Sequence, residues 1–256
     1  MNNKEKVVAL LKSIETGATE PIGYINPSKY IQHNLAVGDG MAGFGALLQA
    51  LPPKSARVNT VRAFQDGEYI FTQTEYNLFG PKAGFDVFRF ENGLIVEHWD
   101  NLQEISGPNP SGHTMFDGEK GIKDTDKTVG NRALVKAFVE DVLMGKNPDK
   151  LTGYFNGDKY TQHNPAIADG LSGLGAALQV MANAGIVMKY DRIHRVLGEG
   201  NFVLSISEGS FGGKPTSFYD LFRVENNKIA EHWDVMETLI PKSEWKNNNG
   251  KFSHLS

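Results

Sequence analysis

Two aspartates and a histidine stand together twice in this 256-residue chain: Asp86, His98 and Asp100, then Asp220, His232 and Asp234. In each set the first acid opens an aromatic run, "DVFRF" or "DLFRV". The histidine and the second acid close the word "EHWD". Carboxylates set among phenylalanines are expensive unless they are partly solvated, paired or protonated. Apolar surroundings and a neighbouring like charge both raise a carboxyl pKa above its reference of about 3.9. A carboxyl raised in this way can hold or take a proton near neutral pH, which is what general acid–base catalysis requires. The plainer alternative is that Asp86 starts a strand and Asp100 ends one.

The turn between the two runs decides which side chains share a face. A two-residue loop at Asn92-Gly93 would put Asp86 and Asp100 on opposite faces. A three-residue loop with Gly93 in the left-handed region shifts the parity by one, and Asn227 can take that place in the second copy. The three-residue loop is the expectation here. It sets Asp86 opposite His98, with Asp100 a diagonal neighbour. Phe88, Phe90, Leu94 and Val96 then share the acids' face, while Arg89, Glu91, Ile95, Glu97 and Trp99 take the other.

His33 and His163, in the shared "QHN", are candidates for a second polar partner or for a donor to a substrate carbonyl oxygen. A structural histidine tying a loop to a helix is the competing reading. Tyr30 and Tyr160 either line a pocket or simply pack. The catalytic set expected from the sequence is thus Asp86, Asp100, Asp220, Asp234, His33 and His163. His98, His232, Phe88, Phe222, Tyr30 and Tyr160 are expected to contact the substrate. Asp39 and Asp169 read as helix N-caps. His33 with Asp86 or Asp100 would make a His/carboxylate metal set, but no histidine pair at helical or tight-loop spacing supports one, so no metal is expected. The glycines of "GDGMAGFG" lack the Lys and Ser/Thr of a phosphate loop.

These residues belong to a duplication of the whole chain. "KYIQHNLAVGDGMAGFGALLQ" (29–49) matches "KYTQHNPAIADGLSGLGAALQ" (159–179) at 13 of 21 positions. "DVFRFENGLIVEHWD" (86–100) matches "DLFRVENNKIAEHWD" (220–234) at ten of 15. The offset changes from 130 to 134 between the blocks, so four residues are gained between them, mostly near Pro52 and Pro53. A period of that size is a complete small domain, not a solenoid unit. The expected layout is 1–116 for copy one, 117–126 for a Gly/Asp-rich linker, and 127–256 for copy two. Each copy opens with an amphipathic helix (residues 4–16 and 131–145), then a short extended piece, a second helix and β-rich segments. Helices first and an antiparallel sheet after them means α+β.

Composition narrows the partners. The chain is 40% hydrophobic and 22% charged, with a net charge of −4 and no cysteine. That profile fits a globular protein and excludes disulfides and thiolate metal sites. Without a run of Lys or Arg, neither nucleic acid nor an anionic membrane is an expected partner. The N-terminus lacks a signal-peptide pattern and no apolar run approaches the ~20 residues of a membrane span, so a cytoplasmic location is expected.

The runs "YTQHNPAIADGLSGL", "HRVLGEGNFV" and "DLFRVENNKIAEHWDV" resemble the SnoaL-like polyketide cyclase family, of the nuclear-transport-factor-two-like superfamily. The resemblance covers nearly all of both copies and is closer in copy two. It implies two tandem cone-shaped, cystatin-like α+β domains, each a curved antiparallel sheet around an apolar pocket closed by helices. It also implies cofactor-free proton transfer on a small carbonyl or polyketide-like substrate, such as aldol ring closure or isomerisation. By motif, Asp100 and Asp234 take the acid/base position. Asp86 and Asp220 stand where those cyclases carry a histidine partner. Members of the superfamily pair through their sheets, which implies an intrachain pseudo-dimer with Trp99, Trp233, Arg89 and Arg223 near the contact, and allows a homo-oligomer. The competing reading is a small-ligand-binding protein of the same fold that does no chemistry. A further one is that one copy has kept its pocket while the other serves as a built-in partner.

Overall fold

The computed structural model describes residues 1–52 and 54–255; Pro53, near which part of the length difference falls, lies outside them. The chain forms two compact units, one made of Met1–Glu104 with Ile240–Ser256, the other of Ile105–Leu239. The units therefore do not follow the expected boundaries of 1–116 and 127–256.

Buried polar groups explain the shift, since each needs an acceptor. In the second unit the Trp233 indole donates to Asp117 O at 3.0 Å, and His163 Nδ1 meets Thr114 O at 2.9 Å. Asn201 and Lys123 exchange two bonds, Asn201 N to Lys123 O and Lys123 N to Asn201 Oδ1. Residues 117–126 are thus part of that unit, not a free linker. In the first unit the same positions are served by the end of the chain. The Trp99 indole donates to Ser253 O at 3.0 Å, and His33 Nδ1 meets Gly250 O at 2.6 Å.

Unit 1 opens with α1 (Asn3–Thr16), started by a capping box between Asn2 and Glu5 and ended by Gly17 in the left-handed region. Its Val7, Leu10 and Leu11 pack into a core with Phe88, Phe90 and Ile95. After β1 (Ile31–Gln32) and α2 (Gly40–Ala50) come four long strands: β2 (Arg57–Asp66), β3 (Tyr69–Asn77), β4 (Pro81–Glu91) and β5 (Leu94–Glu104). The sheet runs β1-β5-β4-β3-β2; β1 pairs parallel with β5 and the other pairs are antiparallel.

Unit 2 repeats this order. It has α3 (Thr128–Phe138), which continues through a wider turn to Leu143, then β6 (Thr161–Gln162) and α4 (Gly170–Asn183). Its long strands are β7 (Met188–Glu199), β8 (Phe202–Phe211), β9 (Lys214–Glu225) and β10 (Lys228–Thr238), in the order β6-β10-β9-β8-β7. Each unit is α+β, as the sequence order implies. Asp39 and Asp169 do precede α2 and α4, but their side chains do not cap those helices. Each Oδ1 instead accepts the backbone N–H of Gln32 or Gln162.

The hairpin keeps the expected parity by a different device. Glu91 pairs with Leu94, so the loop is the two residues Asn92 and Gly93, both at positive φ (51° and 79°), the signature of a type I′ turn. A bulge between Arg89/Glu97 and Phe90/Ile95 then leaves Val96 as the extra residue and flips the alternation. In copy two, Asn226 and Asn227 form the same turn (φ 49° and 58°), with Ala230 at the bulge. Asp86 consequently stands directly opposite Asp100, not His98, and Asp220 opposite Asp234. On the acids' face Ile95 and Ile229 join the cores, where Leu94 and Val96 were expected. No helix among the described residues is long and apolar enough to cross a membrane.

Candidate active site

Each cross-strand pair of aspartates is held by its neighbours in a defined network. In unit 2, Asn164 Nδ2 donates to Asp234 Oδ2 at 2.7 Å, and Asn164 Oδ1 is taken by Ala166 N, which fixes the amide's orientation. Gln162 is fixed in the same way, because its Oε1 accepts Asn164 N at 2.9 Å. That oxygen also faces His232 Nδ1 at 3.0 Å, so Nδ1 carries a proton. The other ring nitrogen, Nε2, lies 3.1 Å from Asp220 Oδ1. A proton must sit between His232 and Asp220, on one or the other. The Tyr190 hydroxyl donates to the Asp220 carboxylate at 3.2–3.3 Å.

Unit 1 builds the same network. Asn34 donates to Asp100 at 2.6 Å, and His98 bridges Gln32 Oε1 (3.0 Å) and Asp86 Oδ1 (3.2 Å). Its tyrosine comes from another strand: Tyr76 of β3 donates to Asp86 Oδ2 at 2.7 Å, where unit 2 uses Tyr190 of β7. The two imidazoles stack on Phe88 and Phe222, with ring centroids 4.5 and 4.7 Å apart.

One carboxylate oxygen stays out of this bonding. Asp234 Oδ1 is buried without a hydrogen bond, as is Asp100 Oδ1. Burial pushes the Asp234 carboxyl above its ordinary range; Asp220 adds to that, and His232 and Asn164 oppose it. In unit 2 Asp234 lines a cavity of about 220 Å³, whose walls include Ile167, Leu174, Met181, Met188, Phe211 and Phe222. Tyr160 also lines it. Its hydroxyl accepts from Gln162 Nε2 at 3.1 Å, and its own proton has no acceptor among the described residues. Burial and the Asp234 and Asp220 charges hold that phenol well above its usual range, so it stays a donor.

The structure brings Asp220, Asp234, His232, Phe222 and Tyr160 together on the cavity, and Asp86, Asp100, His98, Phe88 and Tyr30 around the matching network of unit 1. It does not bring His33 and His163 there. Strand alternation turns them to the opposite face, where they lie flat on Trp99 and Trp233 (centroids 4.7 and 4.6 Å) and bond Glu97 and Glu231 at 2.9 Å. Arg89 and Arg223 complete those networks. The expected catalytic role of His33 and His163 therefore has no geometric support; they tie the chain's covering segments to each sheet.

Gln32, Asn34, Gln162 and Asn164 were missed from "QHN". Its period-2 alternation held the signal, because if the histidine points away, its neighbours point in. Tyr76 and Tyr190 occupy non-equivalent positions, so the repeat could not reveal them. Ligand-type atoms of Asp86, His98 and Asp100, and of Asp220, His232 and Asp234, lie within 4.8 Å of one another, as do those of His33/Glu97/His254 and His113/Asp117/His163. In the Asp/His/Asp groups both ring nitrogens already bond protein oxygens, so a cation there would have to displace Asp or Gln.

No family model matches the chain, and no curated protein matches it either. Among solved structures it is similar to a proposed ketosteroid isomerase from Kribbella flavida (13% identity, 45% of this chain and 83% of that one, TM-score 0.36). It is likewise similar to IdmH from Streptomyces antibioticus, a proposed polyketide cyclase (17% identity, 39% and 90%, TM-score 0.34). A cystatin-like protein of unknown function from Xanthomonas campestris aligns over 41% of this chain and 92% of its own, at 22% identity and a TM-score of 0.34.

Proposed function

We propose that unit 2 is a cofactor-independent proton-transfer catalyst for a small, largely apolar carbonyl compound. The observation that carries this reading is Asp234: the residue lines an apolar cavity, one of its oxygens is fixed by Asn164, and the other is buried and free of hydrogen bonds. Asp234 Oδ1 takes a proton from the carbon α to the carbonyl. The electron pair moves to the carbonyl oxygen, and Tyr160 O–H donates a hydrogen bond to that developing enolate. If the proton on Asp234 is first traded with solvent, its return to the same carbon gives isotope exchange; transfer to a conjugated carbon gives isomerisation. Attack of the enolate on a second carbonyl would give ring closure. The Asp220/His232 pair, with its single shared proton, adds no net charge to the cavity lining beside the base. At about 220 Å³ the cavity is smaller than the ~300–1,000 Å³ typical of drug-sized ligands, which favours a single ring or a short chain.

The test is α-proton exchange of 2-cyclohexenone in deuterated water, followed by NMR. The protein should accelerate exchange, and Asp234→Asn should remove the acceleration. Exchange at the uncatalysed rate with saturable binding would instead favour a binding protein. The observation behind that second reading is that Asp220, His232, Gln162 and Tyr190 already satisfy one another.

A further inference from the structure

The two copies carry the same Asp/His/Asp group but differ in what surrounds its open oxygen. In unit 2 no hydrogen bond and no ion pair reaches Asp234 Oδ1 among the described residues. In unit 1 the ammonium of Lys251 lies 3.7 Å from Asp100 Oδ1, with both side chains nearly fully buried (2% and 7% exposed). Backbone contacts identify the residue that replaces Lys251 in unit 2. Gly250 O and Thr114 O meet His33 and His163, and Ser253 O and Asp117 O take the indole protons of Trp99 and Trp233. The residue one step beyond Gly250 is Lys251, and one step beyond Thr114 is Met115, each 3% exposed. A cation is therefore built beside one carboxylate, and by this backbone correspondence the matching position of the other unit is the neutral Met115.

The helical wall differs as well. In the matched "GFGALL" and "GLGAAL", Phe44 replaces Leu174 and Leu47 replaces Ala177. Phe44 is 7% exposed and packed into the unit 1 core, whereas Leu174 and Ala177 line the unit 2 cavity.

We propose that the copies have divided the work: the ligand binds in unit 2, while in unit 1 Phe44 fills the helical side of the corresponding space and Lys251 takes the open oxygen of Asp100. A buried lysine needs a carboxylate beside it, and a carboxylate paired in this way has its reactive oxygen occupied. The proposal rests on the reading of unit 2 as a ligand site.

The methionines make it testable in the full chain. Met181, Met188 and Met236 line the cavity of unit 2, and Met41 packs against the unit 1 core. Titrating 2-cyclohexenone into protein carrying 13C-methyl methionine should shift the first three saturably and leave Met41 in place. Leu174→Phe, which copies Phe44, should raise the Kd roughly tenfold or more. The double variant Phe44→Leu/Lys251→Met, which copies unit 2, should make Met41 respond. A native Met41 that shifts with the same Kd as Met181 overturns the division, and so does a folded double variant in which Met41 stays silent. The two readings fail separately. Binding confined to unit 2 without deuterium exchange ends the catalytic reading and keeps the division. Exchange that depends on Asp234, with Met41 also responding, does the reverse.

Discussion

Asp234 and Glu231 lie on opposite faces of one strand and carry opposite pKa shifts, so their pH dependences have opposite sign. Asp234 is raised, chiefly by burial. The folded state then binds its proton more tightly than the unfolded chain does, so the group burdens the fold only as pH rises past its ordinary 3.8. Asp234→Asn should lower the exchange rate by ~10²–10⁴-fold. It should also leave the protein at least as stable at pH 7, an advantage that fades as pH falls below the raised folded value. Chemical denaturation of both forms across pH measures this. A loss of stability at pH 7 in the Asn variant would mean the charged carboxylate is favourably held, contrary to the proposed strain. Glu231 is lowered: burial raises it, but hydrogen bonds from His163 and Arg223 outweigh that. Its stabilisation is complete above the ordinary 4.5 and is lost as pH falls through the lower folded value. Glu231→Gln should cost about 1.5–3 kcal/mol at pH 7, with the gap from wild type narrowing in acid. At this scale the sequence marked these acids as unusual, because aspartate among phenylalanines is a costly placement. It could not show that His33 and His163 turn away, since that depends on which face β1 presents to β5.

At the scale of elements, the hairpin shows how a correct consequence can follow from a different cause. "ENG" and "ENN" read equally as two- or three-residue loops, and by simple alternation the flipped parity needs the longer one. The bulge at Val96 supplies the flip instead, and a bulge leaves little mark on an apolar strand sequence. The two-residue turn places Asn227 at φ 58°. Asn227→Gly should be neutral or slightly stabilising. Asn227→Val should cost about 1–2 kcal/mol, because a branched side chain resists the left-handed region. Thermal unfolding that ranks valine with glycine would contradict the turn. The tyrosines teach a related lesson. Tyr76 pairs across its ladder with Val58, and Tyr190 with Gly209. Residue 209 is equivalent to 76 by register, so the hydroxyl that reaches the first aspartate has moved to the neighbouring strand. Gly84 is matched by Phe218 in the same way. A side chain at Gly84 would meet the Tyr76 ring at 2.8 Å, whereas Phe218 stacks on Tyr190 at 4.2 Å. The hydrogen bond to the first aspartate was kept while the residue that supplies it was exchanged, so a position-by-position comparison of the copies passes over both tyrosines. Tyr190→Phe should cost about 1–3 kcal/mol, from the bond lost at buried Asp220.

For the whole chain, the duplication was plain in the sequence but the division into units was not. The expected bounds give 105–116 to the first copy and 240–256 to the second, whereas compactness assigns 105–127 to the second unit and 240–255 to the first. No local pattern reports this, because the contacts depend on acceptors that a buried indole and imidazole find far along the chain. The difference has a direct consequence for fragments. Unit 2, Ile105–Leu239, is continuous, while unit 1 needs both ends of the chain. A fragment of residues 105–239 keeps Asp117 O for the Trp233 indole, Thr114 O for His163 and the Lys123–Asn201 pair. A fragment cut by the repeat, 127–256, lacks all three and leaves a fully buried tryptophan uncovered. The first should fold alone, with dispersed amide NMR spectra, a blue-shifted emission from Trp233, its only tryptophan, and the enone-responsive Met181, Met188 and Met236. The second should be unfolded or molten, despite containing every strand and helix of copy two. If 127–256 folds as well as 105–239, the segment before α3 is dispensable and the repeat boundaries describe the folding unit after all.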